Sequence, residues 1–222
     1  MPELGEHVAS VRKILADLYE GQTRSVPFHG LHHVHFVADK ARDFAYELGA
    51  DAATAEIAAL VHDVNYLIDA RGDAAVGSHL RSTILKDAGL DNASIAVIED
   101  TVISAETRVR DDSISREAMA LSDADTLFKA LPITPVVLAP LYMRETGRSV
   151  RELAEKIIHE QVPLRDSGIY FYSDSAKKRY EGWGDVNLAL WSCILEALDD
   201  PTVVNLIDEV GQYTKIPQEM QV

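Results

Sequence analysis

The chain has 222 residues, 47% of them hydrophobic and 26% charged, which suits one domain or a domain with an extension and excludes disorder along its whole length. Lys and Arg number 21 against 36 Asp and Glu, and the resulting net charge of −15 disfavours general nucleic-acid binding, because such a surface repels phosphate backbones. A bound cation reverses that field locally, so a small anionic substrate stays compatible with it.

Apolar residues recurring at i, i+3, i+4 and i+7 predict helices near 6–20, 31–48, 52–63, 76–88, 92–105, 114–130, 149–162, 174–198 and 201–211. Period-two alternation is scarce, so the expected fold class is all-α. Gly49 to Asp51 separates two helices, Asp91 reads as an N-cap, and Pro201 suits a first helical turn. Pro132 and Pro135 close another helix, and residues 131–172, the least regular stretch, suit a lid or a rim. The start, "MPELGEHVASVRKIL", has no uninterrupted apolar region, so no signal peptide is expected. The longest apolar run, "ITPVVLAPLYM", is broken by Pro135 and Pro140 and is too short to span a bilayer, so a cytoplasmic protein without a membrane partner is expected. The single cysteine, Cys193, excludes an intramolecular disulfide and a multi-cysteine zinc site. It lies in "LALWSCILEAL", where a buried structural thiol is expected. That segment and "PTVVNLIDEV" read either as core or as contacts of a homo-oligomer.

Four of the eight histidines crowd into "FHGLHHVHFV", residues 28–37. On a helix beginning near Leu31, His33 shares the apolar face with Phe36, Val37, Phe44 and Leu48, whereas His35, Asp39 and Arg42 face water. A lone inward histidine is most simply a satisfied core residue. His29 lies above His33 if the helix extends back that far. The small, apolar helix "AATAEIAALV" ends in His62-Asp63. A carboxylate there faces the negative end of the helix dipole and, if buried, requires a positive partner. A cation beside Asp63 answers both objections; the alternative is an ion pair with Arg or His. In "REAMALSDADTLFKAL", Asp125 interrupts the inward stripe of Ala118, Leu121 and Phe128, while Asp123 aligns with the polar side and reads as solvated. Two imidazoles and two carboxylates suit a borderline divalent ion and leave positions open for water and substrate.

The order His33, His62-Asp63, Asp125 resembles the H…HD…D signature of the HD-domain metal-dependent phosphohydrolase superfamily. "FHGLHHVHFV" resembles that family's "YHNxxHxxxV", with Phe28 in place of Tyr and Gly30 in place of Asn. "AALVHDVNY" resembles "AALFHDxxY", and "LSDADTLFKAL" resembles "DADxxxxxG", with Ala130 near the usual Gly. The resemblance covers about 26–131, which it marks as an HD-like core within a single domain of 1–222, followed by a helical extension over about 132–222. It implies one divalent ion per chain (Mn, Fe, Ni, Co, Zn or Mg) held by His33, His62, Asp63 and Asp125. It further implies water attacking phosphorus, with Asp63 orienting that water.

His29 is a candidate either for orienting a ligand or for general acid catalysis. Relatives with a second metal carry two further histidines. Here only His79 falls in the interval, it reads as a surface residue, and "VISAETRV" offers Glu106 at most. The implied function is hydrolysis of a small phosphorylated metabolite or nucleotide. A di-iron oxygenase on the same scaffold, or a metal-stabilised binding module without turnover, are the alternatives. The clusters Lys177, Lys178, Arg179 and Arg151, Lys156 read as solvated helix faces, and Gly182-Trp183-Gly184 is too short to signal a phosphate loop.

Overall fold

A computed structural model describes residues 4–21 and 25–214, without the side chains of 211–214. Among the described residues it is all-α, with no strand. The helices are α1 (Gly5–Tyr19), α2 (Leu31–Leu48), α3 (Ala52–Val61), α4 (Ser78–Asp87), α5 (Asn92–Ser104), α6 (Arg116–Ala130), α7 (Ala139–Thr146), α8 (Val150–Asp166), α9 (Asp174–Leu198) and α10 (Pro201–Thr214). Among the described residues, no single helix is long and apolar enough to cross a membrane.

Local chemistry sets most boundaries. Asp51 accepts from the Thr54 N–H at 2.8 Å and Asp91 from that of Ser94 at 2.8 Å, so both cap orphan donors at helix starts. Ser149 and Glu152 form a reciprocal capping box at the head of α8. Gly49 ends α2 at φ 65°, a left-handed conformation that a side chain disfavours.

Helix α6 ends at Ala130, before Pro132, as expected, but the stretch after it is more regular than its prolines suggest. Pro135 and Pro140 sit in first turns, where proline's missing N–H has no role, so they begin a π-turn (Thr134–Leu138) and α7 rather than forbidding helix. Pro163 does not stop α8, which runs on to Asp166. Both Pro163 and His159 are exposed, so the freed His159 carbonyl faces water.

Helix α3 is the centre. Residues 54–61 are all buried, and its alanines let α1, α2, α5 and α6 approach closely. Helix α2 packs chiefly on α6 and α3, and α9 joins α6 to α8. This layering corrects the placement of Cys193. Leu188, Trp191 and Leu198 form the inward face of α9, and Cys193 lies on the exposed one.

The glycines of α9 have a packing role. A Cβ on Gly184 would lie 2.4 Å from Cε1 of the buried Tyr170, whereas one on Gly182 would meet nothing within 4 Å. Gly184→Ala is therefore expected to destabilise by about 1–3 kcal/mol through overpacking. Gly182→Ala should instead stabilise by roughly 0.5–1 kcal/mol through helix propensity. Urea unfolding of both variants checks the opposite signs; a shared sign would remove the Tyr170 contact as the cause.

Candidate metal centre

Three segments converge where α2 begins and α3 ends. His33 is the third residue of α2, His62 caps the C-terminus of α3, and Asp63 enters a short 3-10 turn (Val64–Leu67). Asp63 Oδ2 lies 2.8 Å from His33 Nε2 and 3.0 Å from His62 Nε2, and the two Nε2 atoms are 3.3 Å apart. Among the described residues, His33, His62 and Asp63 form the one group of three or more such side chains able to hold a metal ion, with ligand atoms within 4.8 Å of one another.

The surrounding bonds show what these nitrogens offer. His62 Nδ1 lies 2.7 Å from the Ala59 carbonyl, which can only accept. Nδ1 therefore carries the proton, and Nε2 of the neutral ring turns its lone pair toward Asp63. Phe128 packs edge-on to the His33 ring at 4.4 Å and fixes its plane, while buried His33 Nδ1 has no partner. His33 Nε2, 2.8 Å from Asp63 Oδ2, can donate to it in the metal-free protein and offers a second lone pair to the same point once that proton is lost. That donor set fits a borderline divalent ion.

The metal-free electrostatics carry the same signature. Burial disfavours a charged His62, but Asp63, by charge and hydrogen bond, outweighs it and raises the pKa above the ordinary value. Burial dominates at His33 and lowers its pKa. Burial would raise Asp63, yet His62, His29 and the hydrogen bonds from His33 and His62 hold it well below the usual carboxylate range.

Asp125 approaches from α6. Its Oδ1 is 4.0 Å from His33 Nε2, and its Oδ2 is ion-paired with Lys129 Nζ at 2.6 Å. It thus borders the group while its second oxygen is engaged elsewhere. Asp123, expected to be solvated, is fully buried and accepts from the Tyr172 N–H at 2.6 Å and the Ser173 N–H at 2.8 Å. Helix α6 is covered by α2 on one side and α9 on another, so its nominally polar face is a second interior. Burial pushes the Asp123 carboxyl up to about 6, against the pull of those two N–H groups and Arg110.

His29 lies in the loop before α2, not on the helix, and its ring stacks on Tyr66 with centroids 3.4 Å apart and planes 5° apart. Its Nε2 is 3.9 Å from Asp63 Oδ2. Glu145, on the unexpected α7, contacts His29 Nδ1 and accepts from the backbone N–H groups of Phe28 (2.8 Å) and His29 (3.1 Å). Sequence reading missed Glu145; the one available cue was a carboxylate three residues after an aromatic in an apolar segment. His79 is exposed as expected, and Glu106 accepts from the Ala74 N–H at 2.6 Å.

His62, Asp63 and Asp125 open onto a cavity of about 190 Å³ whose wall also carries Arg108, Lys129 and Lys156. The segment 131–172 supplies part of that wall through Thr134, Ala139, Tyr142 and Leu153, as a rim requires. Lys156 is half-buried beside Glu160, not on a solvated face, while Lys178 and Arg179 are exposed. An adjoining outer cavity shares Arg108 and Lys156 and adds Arg71 and Arg148. Acidic side chains share these walls: Asp73, Glu106 and Glu160 line the first cavity and Glu152, Glu155 and Glu160 the second, with Lys129 and Lys156 paired to Asp125 and Glu160.

Comparison with protein-family models, curated proteins and solved structures finds no match to this chain.

Proposed function

We propose that the protein is a metal-dependent phosphohydrolase of the HD-domain kind, acting on a phosphate ester of a small metabolite or nucleotide. The observation that carries this reading is the His33–His62–Asp63 group opening into a cavity lined by Arg108, Lys129 and Lys156. Metal donors alone suit many reactions; donors beside cations in an acidic protein suit an anionic, phosphorylated substrate.

His33, His62, Asp63 and Asp125 would hold one divalent ion, of the Mn, Fe, Ni, Co, Zn or Mg class. Bound there, such an ion lowers the pKa of water and polarises a phosphoryl oxygen. Asp63 orients the attacking water through the carboxylate edge that faces the cavity. Arg108, together with Lys129 and Lys156 once they release Asp125 and Glu160, would neutralise the phosphate oxygens, and Tyr66, Tyr142 and Trp191 would exclude water from the organic part of the substrate.

The test is metal content by mass spectrometry on protein purified without chelator, followed by a panel of phosphate esters. About one equivalent of a divalent metal with phosphate release supports the reading. Two irons with oxygen consumption would replace it with an oxygenase, and metal without turnover would replace it with a binding module.

Protons and cations compete for the same Nε2 atoms. Because the His62 pKa is raised, metal affinity is expected to fall progressively as pH drops from about 8 to about 5. Competition with a fluorescent chelator across that range measures it. A flat profile would remove the imidazoles from the coordination.

A further inference from the structure

We propose that the outer cavity is a second phosphate subsite, built on Arg71, Arg108 and Arg148. The substrate is then a small organic bisphosphate, cleaved at one ester while its other phosphate is held there. This inference rests on the phosphohydrolase reading and narrows its substrate.

The two cavities form one cleft. The outer one, of about 400 Å³, shares Tyr66, Gly72, Arg108, Tyr142, Lys156 and Glu160 with the cavity over His62 and Asp63. A molecule whose scissile phosphate reaches the metal centre has its remainder directed past Tyr66 and Tyr142 toward the outer end. Tyr66 is stacked on His29, which keeps that passage in place.

The charges at the outer end differ in how they are engaged. Three carboxylates share its wall. Glu160 is ion-paired with Lys156. Glu152 closes the capping box of α8, and the Ser149 N–H, ahead of Arg71 and Arg148, lowers its pKa. Glu155 is exposed, where water and salt screen it.

The three guanidinium groups, by contrast, form no ion pair among the described residues. Arg71 donates from Nε to the Thr146 carbonyl at 2.9 Å and from Nη2 to the Gly147 carbonyl at 3.1 Å, which fixes its plane and leaves Nη1 over. Arg148 is half-buried, and its Nε, shielded from water, has no partner. Arg108 lies in the turn after α5. A guanidinium can only donate, and a shielded N–H without an acceptor is unfavourable. Three such forks lining one cavity suit a tetrahedral dianion better than a carboxylate, because each can take a different pair of oxygens.

The reaction itself is unchanged. Water replaces one ester oxygen on phosphorus, and the alcohol leaves with its second phosphate intact.

The test uses manganese-loaded protein and the linear terminal diols from propanediol to hexanediol, each as monophosphate and as bisphosphate. The scissile group is the same throughout, and only the far end changes. At the length that fits the cleft, wild-type kcat/KM on the bisphosphate is expected to exceed that on the monophosphate by about 30-fold or more. The gain should lie in KM, because the far phosphate is held equally before and during the reaction. Arg148→Gln keeps donors without the charge and should reduce the ratio at least about fivefold. A wild-type ratio no larger than the statistical advantage of two equivalent ends, at every length, would overturn the proposal. So would a ratio that Arg148→Gln leaves intact.

If that variant does not fold, salt decides with wild type alone. An advantage held by guanidinium groups shrinks as sodium chloride is raised, and one that salt leaves unchanged removes the subsite. Wild type that holds manganese but hydrolyses none of these esters fails the phosphohydrolase reading instead. Titration calorimetry on the same protein then judges the subsite separately: bisphosphate bound at least about 10-fold more tightly than monophosphate keeps it, and equal binding removes it.

Discussion

His62→Ala is expected to weaken divalent-metal binding by at least about 100-fold, because removing even an outer partner of a ligand typically costs up to that much. His62 is the best prepared of the donors. Its tautomer is set by Ala59, its ring is buried, and its Nε2 lies 3.0 Å from Asp63 and 3.3 Å from His33. Alanine leaves His33 and Asp63, with the more distant Asp125, as a weaker site. A ligand that binds only the folded state at 100 times its Kd stabilises by about 2.7 kcal/mol. At about 2–4 °C per kcal/mol for a chain of this size, wild type should gain roughly 5–10 °C in Tm on metal addition. His62→Ala should gain none and should release no phosphate. A variant that kept the full metal-dependent shift would place the cation elsewhere.

The largest effect on the metal-free fold is expected from Glu99→Ala. Arg81 is 0% exposed and is answered by Glu99 through two bonds, Nε at 2.8 Å and Nη2 at 2.5 Å. Removing the carboxylate leaves a guanidinium buried without a counter-charge, a loss of about 3–5 kcal/mol. At the same conversion this is a fall of roughly 6–20 °C in Tm. Asp185→Ala is the control: its pairing with Arg165 is also two-point, but the side chains are 50% and 34% exposed. There the cost should stay within about 1 kcal/mol. Similar losses in both variants would mean that burial is not what makes the Arg81 pair costly to break. The effect reaches the candidate centre as well, because a Cβ at Gly77 would fall 2.8 Å from Arg81 Nη1 and 3.0 Å from the Asn65 nitrogen. Arg81 thus backs the turn that follows Asp63.

The all-α class was legible because 3.6-residue periodicity is a local property. Helices α2 and α9 fall where it places them, at 31–48 and 174–198. His33 was legible for the same reason, since its inward position follows from the apolar face of its own helix. What failed depended on partners distant in sequence. A helical wheel assumes one interior, whereas α6 has two, so Asp123 was assigned to water. Glu145 finds its partners 116 and 117 residues upstream, on a helix that prolines had hidden. Lys156 looked solvated because nothing nearby announces the cavity it faces.

Helix α3 is buried along nearly its whole length, and His62 and Asp63 are its immediate continuation. A cluster held on a flexible loop must surrender mobility when a cation arrives, and affinity suffers by that entropy. Here the ordering is completed when the core forms, long before any ion is present. The group is held in place in the way that a macrocyclic chelator is, so any selectivity among ions would rest on cavity size and donor type rather than on how well the chain can wrap around a given ion.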